Sequence, residues 1–356
     1  MTQLQSAIAD LDRASKDVKC VIWDLDNTLW DGVLLERDAI TLKPGIREVI
    51  QALDRRGILH SIASKNDHDL AMRKLQTFEL DEYFLAPEIG WNAKSISIRR
   101  IQESLNLGLD SFLFVDDQPF ERAEVGSTIP AVRCLDAAAY LDLPRYPALQ
   151  PRFVTVDSAR RRLMCREQLV RRNLEDSWEG PHEEFLASLG MVLTVAHPTG
   201  DDLRRAEELT IRTNQLNATG RSYSYDELQA LLATPEHELF ICELSDRFGS
   251  YGKIGLSLLE HGADTTHLRL LLVSCRVMSH GVGSVLLSLM MQRSKECGRK
   301  LRADFVDTGR NRMMMVAYRF AGFQASDRQP DGSMVMTHDL TDIPPIPSYI
   351  DVRHSA

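Results

Sequence analysis

Short apolar runs alternate with amphipathic stretches over roughly the first third of the chain. The apolar runs, which predict buried strands, lie at residues 20–23, 58–63 and 111–115. The stretches with helical spacing lie at residues 46–56, 70–78 and 94–105. Gly57 is predicted to end the first helix. Strands that alternate with helices are typical of a parallel sheet, so this part of the chain is predicted to be an α/β domain.

The pattern changes after the first domain. Three prolines between residues 144 and 151 indicate a linker. Residues 158–174 predict an amphipathic helix with an arginine-rich face, which is typical of a solvated surface or of a docking surface for an acidic partner. From Met191 onwards, short strands and helices predict a second, α+β domain. Its strands are predicted at residues 192–196, 239–244, 252–259 and 267–274, and its helices at residues 201–210, 225–232 and 284–297. A further helix is predicted before this domain, at residues 183–189.

The predicted organisation has five parts, and a length of 356 residues suits two domains. In order they are an N-terminal helical segment (1–18), the first domain (19–140), a linker with helices (141–190), the second domain (191–340) and a C-terminal tail (341–356).

The composition and charge of the chain argue against several classes of function. The net charge of −9 argues against nucleic acid as a main partner. No apolar run approaches the roughly 18 residues that a membrane helix needs. The N-terminus lacks a basic region followed by an apolar core, so no signal peptide is predicted and a cytoplasmic location is expected. The six cysteines are scattered without a C-x-x-C pair, which predicts free thiols and no zinc site.

Two carboxylates follow the first buried strand. Asp24, Asp26 and Thr28 form the run D-x-D-x-T, and carboxylates at a buried strand end are costly unless a cation such as Mg²⁺ binds them. An Asx-rich turn is the alternative interpretation. The run resembles the first motif of the haloacid dehalogenase (HAD) phosphotransferase superfamily. That resemblance implies that Asp24 is the nucleophile and Asp26 the general acid/base.

Three later positions match the remaining HAD motifs in order. Ser64 follows the second strand and would bond the phosphoryl group, although it could also be a plain capping serine. Lys94 opens a helix, and Asp116 and Asp117 follow the third apolar run. The resemblance implies a Mg²⁺ cofactor and two sets of residues. The predicted metal ligands are Asp24, Asp26, Asp116 and Asp117, and the predicted phosphate-binding residues are Thr28, Ser64, Lys65 and Asn66. The short segments between these motifs leave no room for a large cap domain, so an open site is expected.

A second candidate site follows the apolar strand at 267–274. The chain runs into Cys275 and Arg276, and then into a turn with Gly281 and Gly283 before a helix. A glycine turn at a helix N-terminus can bind phosphate through its N–H groups. This order resembles the coenzyme A motif of the GNAT acetyltransferase fold, and residues 311–323 resemble that fold's next motif. In the coenzyme A motif, the usual basic residue and the first glycine of the turn are replaced here by Met278 and Ser279. This replacement favours a ligand without a pyrophosphate, such as the phosphopantetheine arm of a carrier protein, over coenzyme A.

Cys275 is the candidate nucleophile of the second domain. Arg276 and the helix N-terminus would stabilise a thiolate there. The alternative is a buried, inert thiol, which is common after an apolar strand.

Long stretches resemble one family, the FkbH-like proteins of HAD subfamily IIIC. They include Trp-Asp-Leu-Asp-Asn-Thr-Leu-Trp, Phe-Val-Asp-Asp-Gln-Pro-Phe-Glu-Arg, Arg-Thr-Asn-Gln-Leu-Asn and Ser-Cys-Arg-Val-Met. The resemblance implies a Rossmann-like HAD domain followed by a GNAT-like domain. It also implies an enzyme that takes 1,3-bisphosphoglycerate, removes phosphate and loads a glyceryl group onto an acyl carrier protein for polyketide extender units. There are two alternatives. One is a phosphatase whose GNAT-like domain is not catalytic, and the other is a scaffold for the carrier protein.

Overall fold

The computed structural model describes residues 17–36, 39–213, 215–325 and 328–355. The predicted N-terminal helical segment, apart from residues 17 and 18, lies outside them. The chain divides into two compact units between Asn173 and Leu174, within the stretch that was predicted as linker and helices. No described helix combines the length and the apolar character needed to cross a bilayer.

The first unit contains a five-stranded parallel sheet with the order β5-β4-β1-β6-β7. Its strands and those of a small hairpin are β1 (Cys20–Trp23), β2 (Trp30–Asp31), β3 (Thr41–Leu42), β4 (Leu59–Ser64), β5 (Glu88–Ile89), β6 (Phe112–Asp116) and β7 (Arg133–Asp136). All four residues of β1 are buried. The chain extends to one side of β1 and then returns to the other, so the order reverses beside β1. In such sheets ligands bind at the carboxyl ends of the strands at this reversal.

Helices connect the strands of this sheet at α1 (Ile46–Arg55), α2 (His68–Thr77), α3 (Lys94–Leu105) and α4 (Pro119–Thr128). Gly57 ends the first helical segment with φ +75°, where a Cβ would meet the Ser158 carbonyl oxygen at 2.7 Å. Asp67 caps α2 by accepting a hydrogen bond from the Leu70 N–H at 2.9 Å. Between β1 and α1 the described residues form only the β2–β3 hairpin and a short 3₁₀ helix, so no large cap covers the strand ends there.

The predicted helix at 158–174 is two helices, α5 (Val156–Ala159) and α6 (Arg161–Asp176). Several of its arginines bond groups of the first unit, so the arginine-rich face is not wholly solvated, while Arg160 and Arg166 are exposed. Arg162 bonds the Asp54 carboxylate at 3.0 Å, and its guanidinium lies 4.6 Å from the centre of the Tyr83 ring. Arg172 donates to the Ser104 carbonyl at 2.8 Å. The arginines therefore attach α6 to the first unit, because guanidinium groups can satisfy carbonyls at the ends of other elements.

The second unit contains an eight-stranded sheet with the order β13-β14-β12-β11-β10-β9-β8-β15. Its strands are β8 (Met191–Ala196), β9 (His237–Asp246), β10 (Gly249–His261), β11 (Thr265–Val273), β12 (Lys300–Val306), β13 (Gln324–Ala325), β14 (Ser333–His338) and β15 (Ile350–Ser355). Neighbours are antiparallel except for two parallel pairs, β11–β12 and β8–β15. The helices of this unit are α7 (His182–Leu189), α8 (Gly200–Arg212), α9 (Tyr225–Leu232), α10 (Val282–Glu296) and α11 (Arg312–Phe320).

Two apolar clusters of this unit share the central strands. One cluster joins α10 and α11 to strand residues such as Leu271 and Val273. The other joins α8 and α9 to Leu270 and Leu272. Consecutive side chains of a strand point to opposite faces, so β11 is apolar on both sides and has helices on both faces.

The C-terminal residues differ from the prediction of a tail at 341–356. Ile350–Ser355 forms β15, which pairs in parallel with β8 along its whole length. The segment has only two apolar residues, Ile350 and Val352, so its pattern gives no strand signal. The strand forms because β8 offers it an unpaired edge, and that edge exists only in the folded unit.

Candidate active sites

Three carboxylates meet at the carboxyl edge of the parallel sheet. Asp24 follows β1, Asp116 ends β6 and Asp117 comes next. One oxygen from each lies within 4.8 Å of the others. The Asp24 N–H donates to the Val115 carbonyl at 2.9 Å, which holds the ends of β1 and β6 side by side. The sequence-predicted residues of the first, third and fourth motifs are thus brought together.

Lys94 lies among these carboxylates and is only 3% exposed. Its ammonium bonds Asp24, donates to the Ala63 carbonyl at 2.7 Å and lies 3.3 Å from Asp116 Oδ2. Burial lowers the pKa of Lys94, but the charges and hydrogen bonds of Asp24 and Asp116 outweigh it and raise the pKa. The lysine is therefore a fixed positive charge at the site.

The donor set fits a hard divalent cation. Asp116 Oδ2 is a buried oxygen whose charge is met by the Lys94 ammonium at 3.3 Å. Burial, together with the charge of Asp24, raises the pKa of Asp116 to about 6. Burial also raises the pKa of Asp117, again with a contribution from Asp24. One lysine leaves part of this negative charge uncompensated, and Mg²⁺ prefers such oxygen ligands. Asp24, Asp116 and Asp117 would hold the ion.

Asp26, also predicted as a ligand, has its carboxylate outside this group of three. Oδ1 accepts from Trp30 Nε1 at 2.8 Å and from the Leu34 N–H at 3.2 Å, and Oδ2 accepts from Asn66 at 3.0 Å. Burial raises the pKa of Asp26 more than these bonds lower it. A raised pKa suits a carboxyl group that donates and accepts a proton. Trp30 and Leu34 were not among the predicted site residues, although Trp30 belongs to the first motif's run.

The predicted phosphate-binding residues of the first unit take several positions. The Thr28 hydroxyl accepts from the Asp117 N–H at 3.0 Å, and Ser64 is buried at the end of β4. Asn66 is buried and bonds Asp26. Lys65 instead pairs with the Glu121 carboxylate at 2.7 Å. Thr28 and Asn66 therefore orient Asp117 and Asp26, respectively. The Lys65 ammonium forms an ion pair with Glu121 of α4.

Arg122 is a further residue of this site that the sequence did not reveal. It donates to the Asp116 carbonyl at 2.7 Å and to the Asp136 carboxylate at 2.6 Å. It thereby fixes the backbone next to two of the clustered carboxylates. Its place in the run Pro-Phe-Glu-Arg, directly after the acidic pair, is the one signal that could have indicated it.

In the second unit, Cys275 follows β11 and opens the 3₁₀ helix Cys275–His280. The residue is exposed, which excludes the alternative of a buried thiol. Arg276 donates through Nε to the Ser274 hydroxyl at 3.4 Å. Cys20 and Cys242, by contrast, are buried, and burial raises the pKa of both thiols.

The glycine turn after Cys275 has two features. Gly281 has φ +75°, and a Cβ there would meet the Tyr349 hydroxyl at 2.7 Å. Gly283 lies in the first turn of α10. Before the turn, the Tyr251 hydroxyl donates to the Asp246 carboxylate at 2.9 Å and lies 3.1 Å from His280 Nε2. The structure thus adds a buried polar network, which the sequence pattern did not indicate, to the helix that carries Cys275.

No protein-family model matches the chain. Among curated proteins, it is 27% identical to human magnesium-dependent phosphatase 1 in an alignment of 119 residues, with 28% of this chain and 68% of that protein covered.

The chain is also similar to several solved structures. A phosphatase-domain structure from Bacteroides fragilis, complexed with Mg, is 32% identical, with a TM-score of 0.32, over 41% of this chain and 44% of that one. The chain thus spans less than half of that protein. The ribosomal-protein-S18-alanine N-acetyltransferase of Escherichia coli is 15% identical, with a TM-score of 0.34, over 43% of this chain and 96% of that one. The PaiA N-acetyltransferase of Thermoplasma acidophilum, in complex with coenzyme A, is 14% identical, with a TM-score of 0.34, over 41% of this chain and 98% of that one.

The sheet orders confirm the predicted fold class. The first unit is an α/β unit built on a parallel sheet without a large cap, and the second is an α+β unit built on a mixed sheet. The chain is similar in sequence to a magnesium-dependent phosphatase, and this similarity agrees with the oxygen donor set that the first unit gathers.

Proposed function

We propose that the chain is a bifunctional enzyme with a Mg²⁺-dependent phosphatase in the first unit and an acyl transferase in the second. The observation that carries the phosphatase is the buried Lys94, which contacts two of three clustered carboxylates at the carboxyl edge of the sheet. A buried cation within an anionic cluster suits a site that gathers a phosphoryl group and a metal around a nucleophile.

The residues of the first unit divide the phosphatase chemistry. An Asp24 oxygen attacks phosphorus, and the bond from phosphorus to the ester oxygen breaks. Asp26, whose pKa is raised by burial, gives its proton to the departing oxygen and then takes one from the water that hydrolyses the aspartyl phosphate. Lys94 and Ser64 stabilise the phosphoryl oxygens. Mg²⁺, when bound, would neutralise phosphoryl charge at Asp24, Asp116 and Asp117.

The proposed substrate is 1,3-bisphosphoglycerate, and the proposed acceptor is the phosphopantetheine thiol of an acyl carrier protein. The Cys275 sulfur would bond to C1 of the acyl phosphate, the C1–O bond would break, and phosphate would leave. The pantetheine sulfur would then attack the thioester and free Cys275. The exposure of Cys275 supports this role, because a carrier-borne thiol can approach only an accessible sulfur. Loading would serve polyketide extender units in the cytoplasm.

Two large exposed aromatic residues that are close in sequence to residues of the first site support a substrate borne by a macromolecule. Phe120 is 74% exposed and comes three residues after Asp117, while Trp91 is 69% exposed and comes three residues before Lys94. Side chains of this size are rarely left so open, and exposed aromatics are typical of surfaces that meet a partner. The phosphate ester at C3 would accordingly be removed while the glyceryl group is attached to the carrier.

The decisive experiment incubates the full chain with 1,3-bisphosphoglycerate, Mg²⁺ and a holo carrier protein and follows both proteins by intact mass. We expect a glyceryl adduct on the carrier and a transient adduct on the enzyme. Carrier loading without any enzyme adduct would contradict the covalent route. Phosphate release without any loading of the carrier would indicate a phosphatase whose second unit only binds, and this result would contradict the proposed transferase activity.

A further inference from the structure

The two parallel strands at the centre of the second sheet separate along their length. β11 pairs with β12 only from Thr265 to Leu268, against Lys300 to Ala303. Beyond Leu268, no pairing between these two strands is found among the described residues, although β11 continues to Val273. The last part of β11, which ends two residues before Cys275, therefore does not bond β12.

A segment of the chain itself fills this gap. The Ala218 N–H donates to the Leu271 carbonyl at 3.0 Å, and the Val273 N–H donates to the Leu216 carbonyl at 2.9 Å. On the other side, the Val306 N–H donates to the Ala218 carbonyl at 3.0 Å. The inserted segment, residues 216–218, thus pairs with both separated strands, antiparallel to β11 at Asn217.

Two asparagines that are both 0% exposed hold the inserted segment. Asn311 Nδ2 donates to the Asn217 carbonyl and to the Val306 carbonyl, at 2.9 Å each, and to the Ala218 carbonyl at 3.2 Å. The Asn217 side chain accepts from the Gly220 N–H at 3.0 Å and donates to the Arg221 carbonyl at 3.2 Å. Moving the segment would leave these buried groups without partners, which is costly, so the segment is a fixed part of the sheet.

An open strand edge inside a sheet is a template for any extended molecule that carries amides. A pantetheine arm has two amides and is such a molecule. From the occupied edge we infer that the inserted segment excludes an extended thioester arm from the gap between β11 and β12. The second unit then does not hold coenzyme A thioesters there as acyl donors. If Cys275 has the role given to it in the proposed function, acyl donors and acceptors reach it from its exposed side.

The test uses the full wild-type chain with coenzyme A and acetyl-coenzyme A as probes. In titration calorimetry we expect no saturable heat up to millimolar concentrations of either probe. In hydrogen–deuterium exchange, peptides that cover residues 216–220, 269–274 and 303–308 should exchange slowly and show no change when acetyl-coenzyme A is added. One-to-one binding, or altered exchange in these peptides, would overturn the inference.

A variant tests the role of the asparagines. Asn311→Asp is nearly isosteric and removes the three donated bonds, so exchange at Ala218, Val273 and Val306 should rise together by about tenfold or more. Gln324→Ala, on the exposed strand β13, is the matched control and should leave these amides unchanged. Unchanged exchange in a folded Asn311→Asp would overturn the inference, and if that variant does not fold, the wild-type titration decides. Acylation of Cys275 by an acyl phosphate is assayed in parallel, and its absence would contradict the proposed function while leaving the filled gap intact.

Discussion

At the scale of single residues, the first site depends on how one buried ammonium and three carboxylates compensate each other. Lys94 contacts Asp24 and Asp116, and burial together with the charge of Asp24 raises the pKa of Asp116. Three carboxylates beside one ammonium form a site that attracts a divalent cation. Catalysis and folding stability therefore depend on the same few contacts.

Replacing the nucleophile separates these two roles. We expect Asp24→Asn to lower phosphate release by about 10³-fold or more, because the amide cannot attack phosphorus. The variant should remain folded, since the change is nearly isosteric and removes repulsion with Asp116 as well as the pair with Lys94. Phosphate release and thermal unfolding are measured on the same preparation. Wild-type turnover by a folded variant would show that Asp24 is not the nucleophile.

Removing the buried ammonium should affect folding as well as activity. Without Mg²⁺ at pH 8, Lys94→Met leaves carboxylates buried without their partner and should lower the unfolding free energy of the first unit by about 3 kcal/mol. Added Mg²⁺ should restore more stability to this variant than to wild type. The control is Lys43→Met, which removes a partly exposed pair with Asp31 and should cost about 1 kcal/mol or less. Equal losses in the two variants would contradict the buried-pair argument.

At the scale of elements, β4 is tied to its neighbours through a neutral histidine. His60 Nδ1 accepts from Trp23 Nε1 of β1 at 3.1 Å, and its Nε2 lies 3.1 Å from the Ile50 carbonyl of α1. Burial lowers the pKa of His60 from 6.5 to about 3. The ring is therefore uncharged in the folded protein at any pH near neutrality, and both of its nitrogens are used to join elements.

This histidine gives a prediction for pH. Between pH 6.5 and about 3, the unfolded chain binds a proton at His60 that the folded chain does not. The stabilisation from His60 is thus complete above pH 6.5 and is lost as pH falls, by up to about 1.4 kcal/mol per pH unit. His60→Gln should lack this dependence. Because a buried carboxyl group such as Asp116, whose pKa is raised, titrates with the opposite sign, the measurement is the difference in unfolding free energy between wild type and variant from pH 7 to pH 5. A constant difference across that range would contradict the prediction.

At the scale of the whole molecule, the residues proposed for the phosphatase and those proposed for the transferase belong to separate units. The carboxylate cluster lies in the first unit and Cys275 in the second. Each unit has its own sheet and its own buried apolar clusters. Substitution in one site should therefore leave the chemistry of the other intact.

Cys275→Ala tests this independence. The variant should lose both the enzyme-bound acyl adduct and carrier loading. If the wild type cleaves a simple phosphate ester in the presence of Mg²⁺, the variant should do so at a rate within about twofold of the wild type, because the nucleophile of that step is Asp24. Cys297→Ala is the matched control, because Cys297 is also an exposed thiol of the second unit. Both reactions are followed by mass and by phosphate release. Carrier loading at the wild-type rate by Cys275→Ala would show that acyl transfer does not pass through this sulfur.

The sequence by itself determined the class of both units and the residues that the first site gathers. Reactive side chains at the ends of apolar runs identified Asp24 and Asp116, because burial periodicity and strand ends are local properties that a pattern records. Lys94, at the start of a helix, was identified from its order and spacing in the HAD resemblance. The exposure of Cys275 was not visible in that pattern, since the same apolar strand could have led into a buried thiol. The GNAT-like resemblance likewise came from a strand, a turn and a helix in succession.

Only the tertiary structure decided which distant groups meet. Asp26 accepts hydrogen bonds from Trp30 and Leu34, and Arg162 of α6 bonds Asp54 of the first unit. Ile350–Ser355 becomes a strand of the second sheet. The inserted segment at 216–218 has no strand signal of its own and pairs only because β11 and β12 separate. Such pairings depend on free backbone edges and buried polar groups that exist only after the chain has folded, so local patterns do not encode them.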